Sequence, residues 1–69
     1  MNDLYEKLLK AKKVNIYWNK KLLFSEVIIV FVELHRTRYL ETIILTFQDM
    51  FYPLTIKDHE ANSFEFKDA

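Results

Sequence analysis

The chain has no glycine, no cysteine and a single proline in 69 residues. Without glycine, no position enters positive φ at the usual low steric cost. Tight turns must use residues whose side chains tolerate or support that geometry, and Asn19, Asp58 and Asn62 are the natural sites. Without cysteine there are no disulfides and no cysteine-ligated zinc, and the compartment expected is the cytoplasm. No apolar run approaches the roughly 18 uninterrupted residues of a membrane span, so no membrane partner is expected. The opening Met1-Asn2-Asp3-Leu4-Tyr5-Glu6 lacks a basic stretch followed by an apolar one, so no secretory leader is expected there. Neither sign of charge prevails: ten Lys and Arg face ten Asp and Glu, for a formal net charge of zero. A neutral chain exerts no bulk attraction on nucleic acid or anionic lipid. The charges are nevertheless unevenly placed. Residues 1–38 carry eight Lys or Arg against four Asp or Glu, whereas residues 39–69 carry two against six.

What the chain does have is apolar and aromatic content, at 51% and 16%. That is enough to support an ordered core and to argue against intrinsic disorder. The length allows one domain, residues 1–69. Leu4, Tyr5, Leu8 and Leu9 share one face of a helix expected over residues 3–12, with Asp3 as its cap and Glu6 completing a capping box. Lys10, Lys12 and Lys13 suit its C-terminal end. A helix this short needs packing to persist.

The remainder reads as strands. Val14, Ile16 and Trp18 alternate, and Asn19-Lys20 can turn the chain into a second strand from Lys21 to about Leu34. Its centre, Val27-Ile28-Ile29-Val30-Phe31-Val32, has five β-branched residues in six, which favours strand over helix. The pattern breaks at Ser25-Glu26, where a bulge or bend is expected. His35-Arg36-Thr37-Arg38 turns the chain into a third strand, Tyr39 to Phe47. Asp49 to Tyr52 is a link whose Met50, Phe51 and Tyr52 should tuck against the core. Leu54–Lys57 and Ser63–Lys67 alternate, with Asp58–Asn62 as a hairpin loop between them. The expected fold is α+β: one N-terminal helix packed on an antiparallel sheet or small barrel of about five strands in β-meander order.

Pairing across the turn at 35–38 sets even residues of strand two beside odd residues of strand three. One face then carries Ile28, Val30, Val32, Leu34, Tyr39, Ile43, Leu45 and Phe47 and should be the core. The other carries Val27, Ile29, Phe31, Leu40 and Ile44, a patch too apolar for water. One short helix covers one face only, so this second patch is the expected interface. If Glu41 falls on the core side it needs a partner, for which Arg36, Arg38 and Lys21 are candidates, or a place at the sheet end; a charge near the strand end that reaches water is the simpler reading.

Chemistry is sparse. His35, Arg36 and Arg38 could together hold a phosphate or carboxylate, although a solvated basic turn explains them more simply. Lys10, Lys12, Lys13, Lys20 and Lys21 flank Tyr17 and Trp18, and lysines beside stacking aromatics are one route to single-stranded nucleic acid, although in a neutral chain a water-exposed helix end and turn with Trp18 in the core explain them more simply. His35 and His59 lack metal-ligand spacing, so neither a metal nor a cofactor is expected. No nucleophile, base and orienting group stand at readable spacing, and no enzyme activity is expected.

Two functions of different class follow. The first is a small non-enzymatic interaction module that self-associates, as a dimer, or binds another protein through a strand or sheet face. The second rests on a layout. A helix followed by five antiparallel strands with a long bent second strand resembles Sm-like and SH3-like barrels, which implies single-stranded nucleic acid as the ligand. This chain departs from those barrels in having no glycine at the bends, and no residue roles carry over.

Overall fold

The computed structural model describes all residues, 1–69. Helix α1 spans Asn2–Lys10 and is followed by strands β1 (Lys13–Trp18), β2 (Lys21–Arg36), β3 (Glu41–Phe47), β4 (Leu54–Lys57) and β5 (Phe64–Asp68). A 3₁₀ helix over Asp58–Ser63 connects the last two strands. All neighbouring strands are antiparallel, and the sheet order is β4-β3-β2-β1-β5. The first four strands therefore form a meander, and the sheet remains open.

The alternation in Leu54–Lys57 and in the last strand is read correctly as strand, but the two do not form a hairpin. β4 pairs with β3 and β5 with β1, at opposite edges of the sheet. The 3₁₀ helix carries the chain across the gap between them, which a tight loop could not span.

The length of β2 controls the shape. Sixteen residues at about 3.3 Å each would extend some 50 Å if straight, whereas the longest dimension of the molecule is 34 Å. The strand must bend, and it does so at breaks in register. Between the pairs Val14–Val27 and Ile16–Phe24, β2 carries one residue more than β1; Leu23 is a second extra residue; and Val30 is a third, lying between the pairs Ile29–Phe47 and Phe31–Thr46. The first lies at Ser25-Glu26 as expected. There Glu26 has φ 51°, and its amide donates to Oδ1 of Asn15 at 2.7 Å. Bulges of this kind add local twist and curvature without glycine.

Turns also manage without glycine. Asn19 and Lys20 take φ of 48° and 67°, the two positive values of a two-residue hairpin turn between the paired Trp18 and Lys21. The remaining positive value is at Asp49, 65°. Asp58 and Asn62 instead lie within the 3₁₀ helix.

The core lies in the concavity of the bent sheet. Val14 and Ile16 of β1, Val32 of β2, Ile43, Leu45 and Phe47 of β3, Ile56 of β4 and Phe66 of β5 are buried together with Leu8 of α1. The helix thus covers the core face only. It begins one residue earlier than the spacing predicts, and no side chain caps it; Asp3 lies within its first turn. Leu8 is buried, Leu4 and Tyr5 are half-buried and Leu9 is exposed. At its start, Nη2 of Arg36 donates to Oδ1 of Asn2. Just beyond its end, the amide of Ile29 donates to the Lys12 carbonyl at 2.9 Å. Trp18 packs on Phe64 with ring centroids 4.6 Å apart, and Phe64 lies 6.0 Å from Phe66.

Candidate functional site

The bulge at Val30 decides which apolar residues of β2 meet solvent. Beyond it the expected parity holds: Val32 pairs with Leu45 and Leu34 with Ile43, and Val32, Ile43 and Leu45 are buried. Before it the parity is inverted. Ile29, not Ile28 or Val30, stands opposite the buried Phe47, and both Val27 and Ile29 pack against the core. Two of the five residues expected at the interface, Val27 and Ile29, therefore face inward. Their alternate neighbours Ile28 and Val30 face outward, at 41% and 62% exposure. The physical reason is the side-chain period of a strand: one inserted residue exchanges the two faces for everything on its far side.

Phe31 remains on the outer face, 56% exposed, and Ile44 is a half-buried neighbour of it, since Phe31 pairs with Thr46 and Glu33 with Ile44. Leu40 is half-buried in the turn before β3. Its carbonyl accepts from the amide and the hydroxyl of Thr37 at 2.8 and 3.0 Å, so it belongs to the turn. The outer apolar patch is consequently Ile28, Val30 and Phe31, flanked by Ile44. Ile28 and Val30 were missed by sequence reasoning. The only signal for them was the improbable length of β2, which no single register could sustain.

A second exposed apolar feature lies close by. The amide of Gln48 donates to the Ile28 carbonyl at 2.9 Å, so the loop from β3 to β4 leaves the sheet beside the patch. Met50 of that loop packs against the core. Phe51 and Tyr52 do not tuck in as expected: they are 99% and 83% exposed. Pro53 follows immediately, and its fixed φ limits how the loop can fold back before β4 begins.

The basic turn is divided rather than convergent. Arg36 is engaged within the fold. Its Nε donates to Oε2 of Glu41 at 2.6 Å, and its Nη2 reaches Asn2 at the start of α1. Glu41 thus pairs with one of its three candidates while standing partly exposed at the start of β3, and its other oxygen lies 3.8 Å from the Met1 ammonium. The Arg36 hydrogen bond holds the Glu41 carboxyl below its ordinary value. His35 points elsewhere, 3.9 Å from Glu33, and Arg38 lies over the ring of Tyr39 at 5.8 Å. Adjacent strand residues project to opposite faces, so His35 and Arg36 do not meet around one ligand.

The basic and aromatic segment is spread out as well. Lys13 pairs with Ile28 at one end of β1, and Trp18 pairs with Lys21 at the other. Trp18 is committed to Phe64, and Nζ of Lys67 sits 5.2 Å from the Tyr17 ring. One cavity of about 520 Å³ opens between the start of α1 and the 3₁₀ helix, where Asn2, Asp3, Asp58 and Asn62 supply its polar wall.

The chain matches no protein-family model, no curated protein and no solved structure. No helix is long and apolar enough to cross a membrane.

Proposed function

We propose that this protein is a small interaction module that self-associates through the outer face of β2. The observation that supports this reading is the exposed group Ile28, Val30 and Phe31 on the side of the sheet that α1 leaves bare. An isologous dimer brings residues near its two-fold axis against their own copies. Charged residues there would repel, but the centre of this face is apolar. Charge lies at its margins, with Lys13 paired to Ile28 at one end and Glu33, 3.9 Å from His35, at the other. A net charge of zero and an isoelectric point near 6.7 also remove the long-range repulsion that keeps many small domains apart.

The strength of such a dimer follows from the exposures. Fully burying an apolar side chain is worth about 1.5–3 kcal/mol. Three that are each about half-exposed contribute roughly 2–5 kcal/mol per protomer, and a symmetric pair twice that. Association costs about 4–15 kcal/mol in lost freedom. The balance describes a weak, concentration-dependent dimer rather than a permanent one. At the favourable end, about 10 kcal/mol of burial against a cost of about 4, the Kd is some tens of micromolar, so sedimentation equilibrium from about 10 μM to 1 mM tests it. Average mass should rise towards twice the monomer with concentration, and Phe31→Glu should hold the protein monomeric while preserving its circular dichroism. A monomer throughout the range, or a Phe31→Glu variant that associates like the parent, refutes the reading.

A second reading is single-stranded nucleic acid, supported by the observed layout of helix, bent β2 and β5 returned to β1. Tyr17 and the lysines at the two ends of β1 would then contact the strand. Anisotropy titration with short RNA and DNA at low salt tests it, because binding through lysines must weaken steeply as salt is added.

A further inference from the structure

The two edges of the open sheet can be read group by group. Asn19 donates to the Ser63 carbonyl at 2.8 Å and Ala69 to the Lys13 carbonyl at 3.1 Å. These bonds bracket the ladder between β1 and β5, so its hydrogen-bonded pairs are the alternate ones between them, Asn15 with Lys67 and Tyr17 with Glu65. Phe64, Phe66 and Asp68 therefore turn their amides and carbonyls outward, to the free edge. On the other side, Thr37 donates to the Leu40 carbonyl at 2.8 Å, which makes the even residues of β3 bond to β2 and the odd ones to β4. Ile56 and Leu54 are then bonded inward, and Thr55 and Lys57 face the second free edge.

Each edge is met by a side chain at one of these outward groups. Nζ of Lys7, from α1, donates to the Phe66 carbonyl at 2.9 Å. The Lys57 amide donates to Oε1 of Glu60 in the 3₁₀ helix at 3.3 Å. The outward amide of Phe64 is likewise taken, by the Ala61 carbonyl. A free strand edge is a template for another strand. Here β4 is only four residues long and starts after Pro53, and β5 alternates Glu65 and Lys67, features that blunt an edge further.

We infer that Lys7 and Glu60 are edge guards, which close the two ends of this sheet to strand addition by a second copy. The guarded partners are complementary. β4 of one molecule could extend β5 of the next, and since the two edges lie on different surfaces such pairing is head-to-tail and continues from copy to copy. Guarding the edges leaves the β2 face free to act. The inference concerns the edges alone and stands whether or not that face dimerises.

Replacing both guards with residues of similar length that cannot form these bonds, Lys7→Met with Glu60→Met, exposes the Phe66 carbonyl and the Lys57 amide. Sedimentation velocity should then show species larger than any formed by the parent at the same concentration, increasing with concentration. Adding Thr55→Pro removes an outward amide without breaking a ladder bond and should return the parent distribution. A folded double variant that sediments like the parent overturns the inference, as does growth that Thr55→Pro fails to reverse. Amide hydrogen exchange on the unaltered protein tests the β4 guard even if the double variant does not fold. Lys57 should exchange at least several-fold more slowly than Thr55, and equal rates would overturn its guarding by Glu60.

Discussion

The inversion at Val30 makes opposite predictions for two adjacent residues. Ile29→Ala removes atoms that pack on the core beside Phe47. Truncating a fully buried isoleucine to alanine costs about 2–5 kcal/mol, and the half-buried setting of Ile29 places the cost near the lower end, about 2 kcal/mol. A protein of this length has roughly 3–10 kcal/mol of stability in all, at about 0.05–0.15 kcal/mol per residue. The loss is therefore a large fraction of the total. At about 4–8 °C per kcal/mol for a domain of this size, the midpoint of thermal unfolding should fall by about 8–16 °C. Val30→Ala removes atoms from a side chain that is 62% exposed and should cost no more than about 0.5 kcal/mol, the scale of ordinary surface substitutions. Both variants should be melted by circular dichroism at low micromolar concentration, where dimer formation adds little by mass action. Uninterrupted parity through β2 would put Val30 inside and Ile29 outside. If Val30→Ala lowers the midpoint as much as Ile29→Ala, the bulge and the outer patch built on it are wrong.

Acid stability should depend on Glu41. Its carboxyl is held below the ordinary 4.5, first by the hydrogen bond from Arg36. A carboxylate whose folded value is depressed contributes stability above its unfolded value and loses it as pH falls through the folded one. Urea titrations from pH 7 to pH 3 should therefore show a shallower acid decline for Glu41→Gln than for the parent, and parallel curves would refute the coupling. The glycine-free hairpin turn should be improvable. Lys20 at φ 67° bears a left-handed cost of about 1–2 kcal/mol, of which glycine's greater unfolded freedom returns about 0.5–1 kcal/mol. Lys20→Gly should raise the melting midpoint by about 2–8 °C, and a lowered midpoint would show that the lysine side chain contributes something the turn geometry does not require.

Much of the fold was legible residue by residue. Asn19-Lys20 announced its turn, since Asn tolerates positive φ and is one of the few turn formers in a glycine-free chain. The β-branched run 27–32 announced a strand, whereas Arg36 was only one of three candidate partners for Glu41, which stands at the start of β3 and keeps its side chain partly exposed. The pairing of β2 with β3 was correct wherever the register was unbroken. The errors share one origin. Val27 and Ile29 were assigned to the wrong face, and β4 and β5 to a hairpin, because both assignments extrapolate a local pattern across a place where the chain changes course. Phe51 and Tyr52 failed for a related reason: aromaticity favours burial, but a loop leaving the sheet ahead of Pro53 offers them nothing to pack against.

The sequence by itself determined that this is one helix and five antiparallel strands, that the helix packs through its Leu and Tyr face, and that an apolar surface is left over. Periodicity and propensity are local, and they survive translation into structure. Which apolar surface is left over was decided only in three dimensions. A strand of sixteen residues had to bend around a core less than its own length across, and it bent by inserting residues at Leu23, at Ser25-Glu26 and at Val30. Each insertion reverses inside and outside, and nothing in the side chain of Val30 itself marks it as the extra residue.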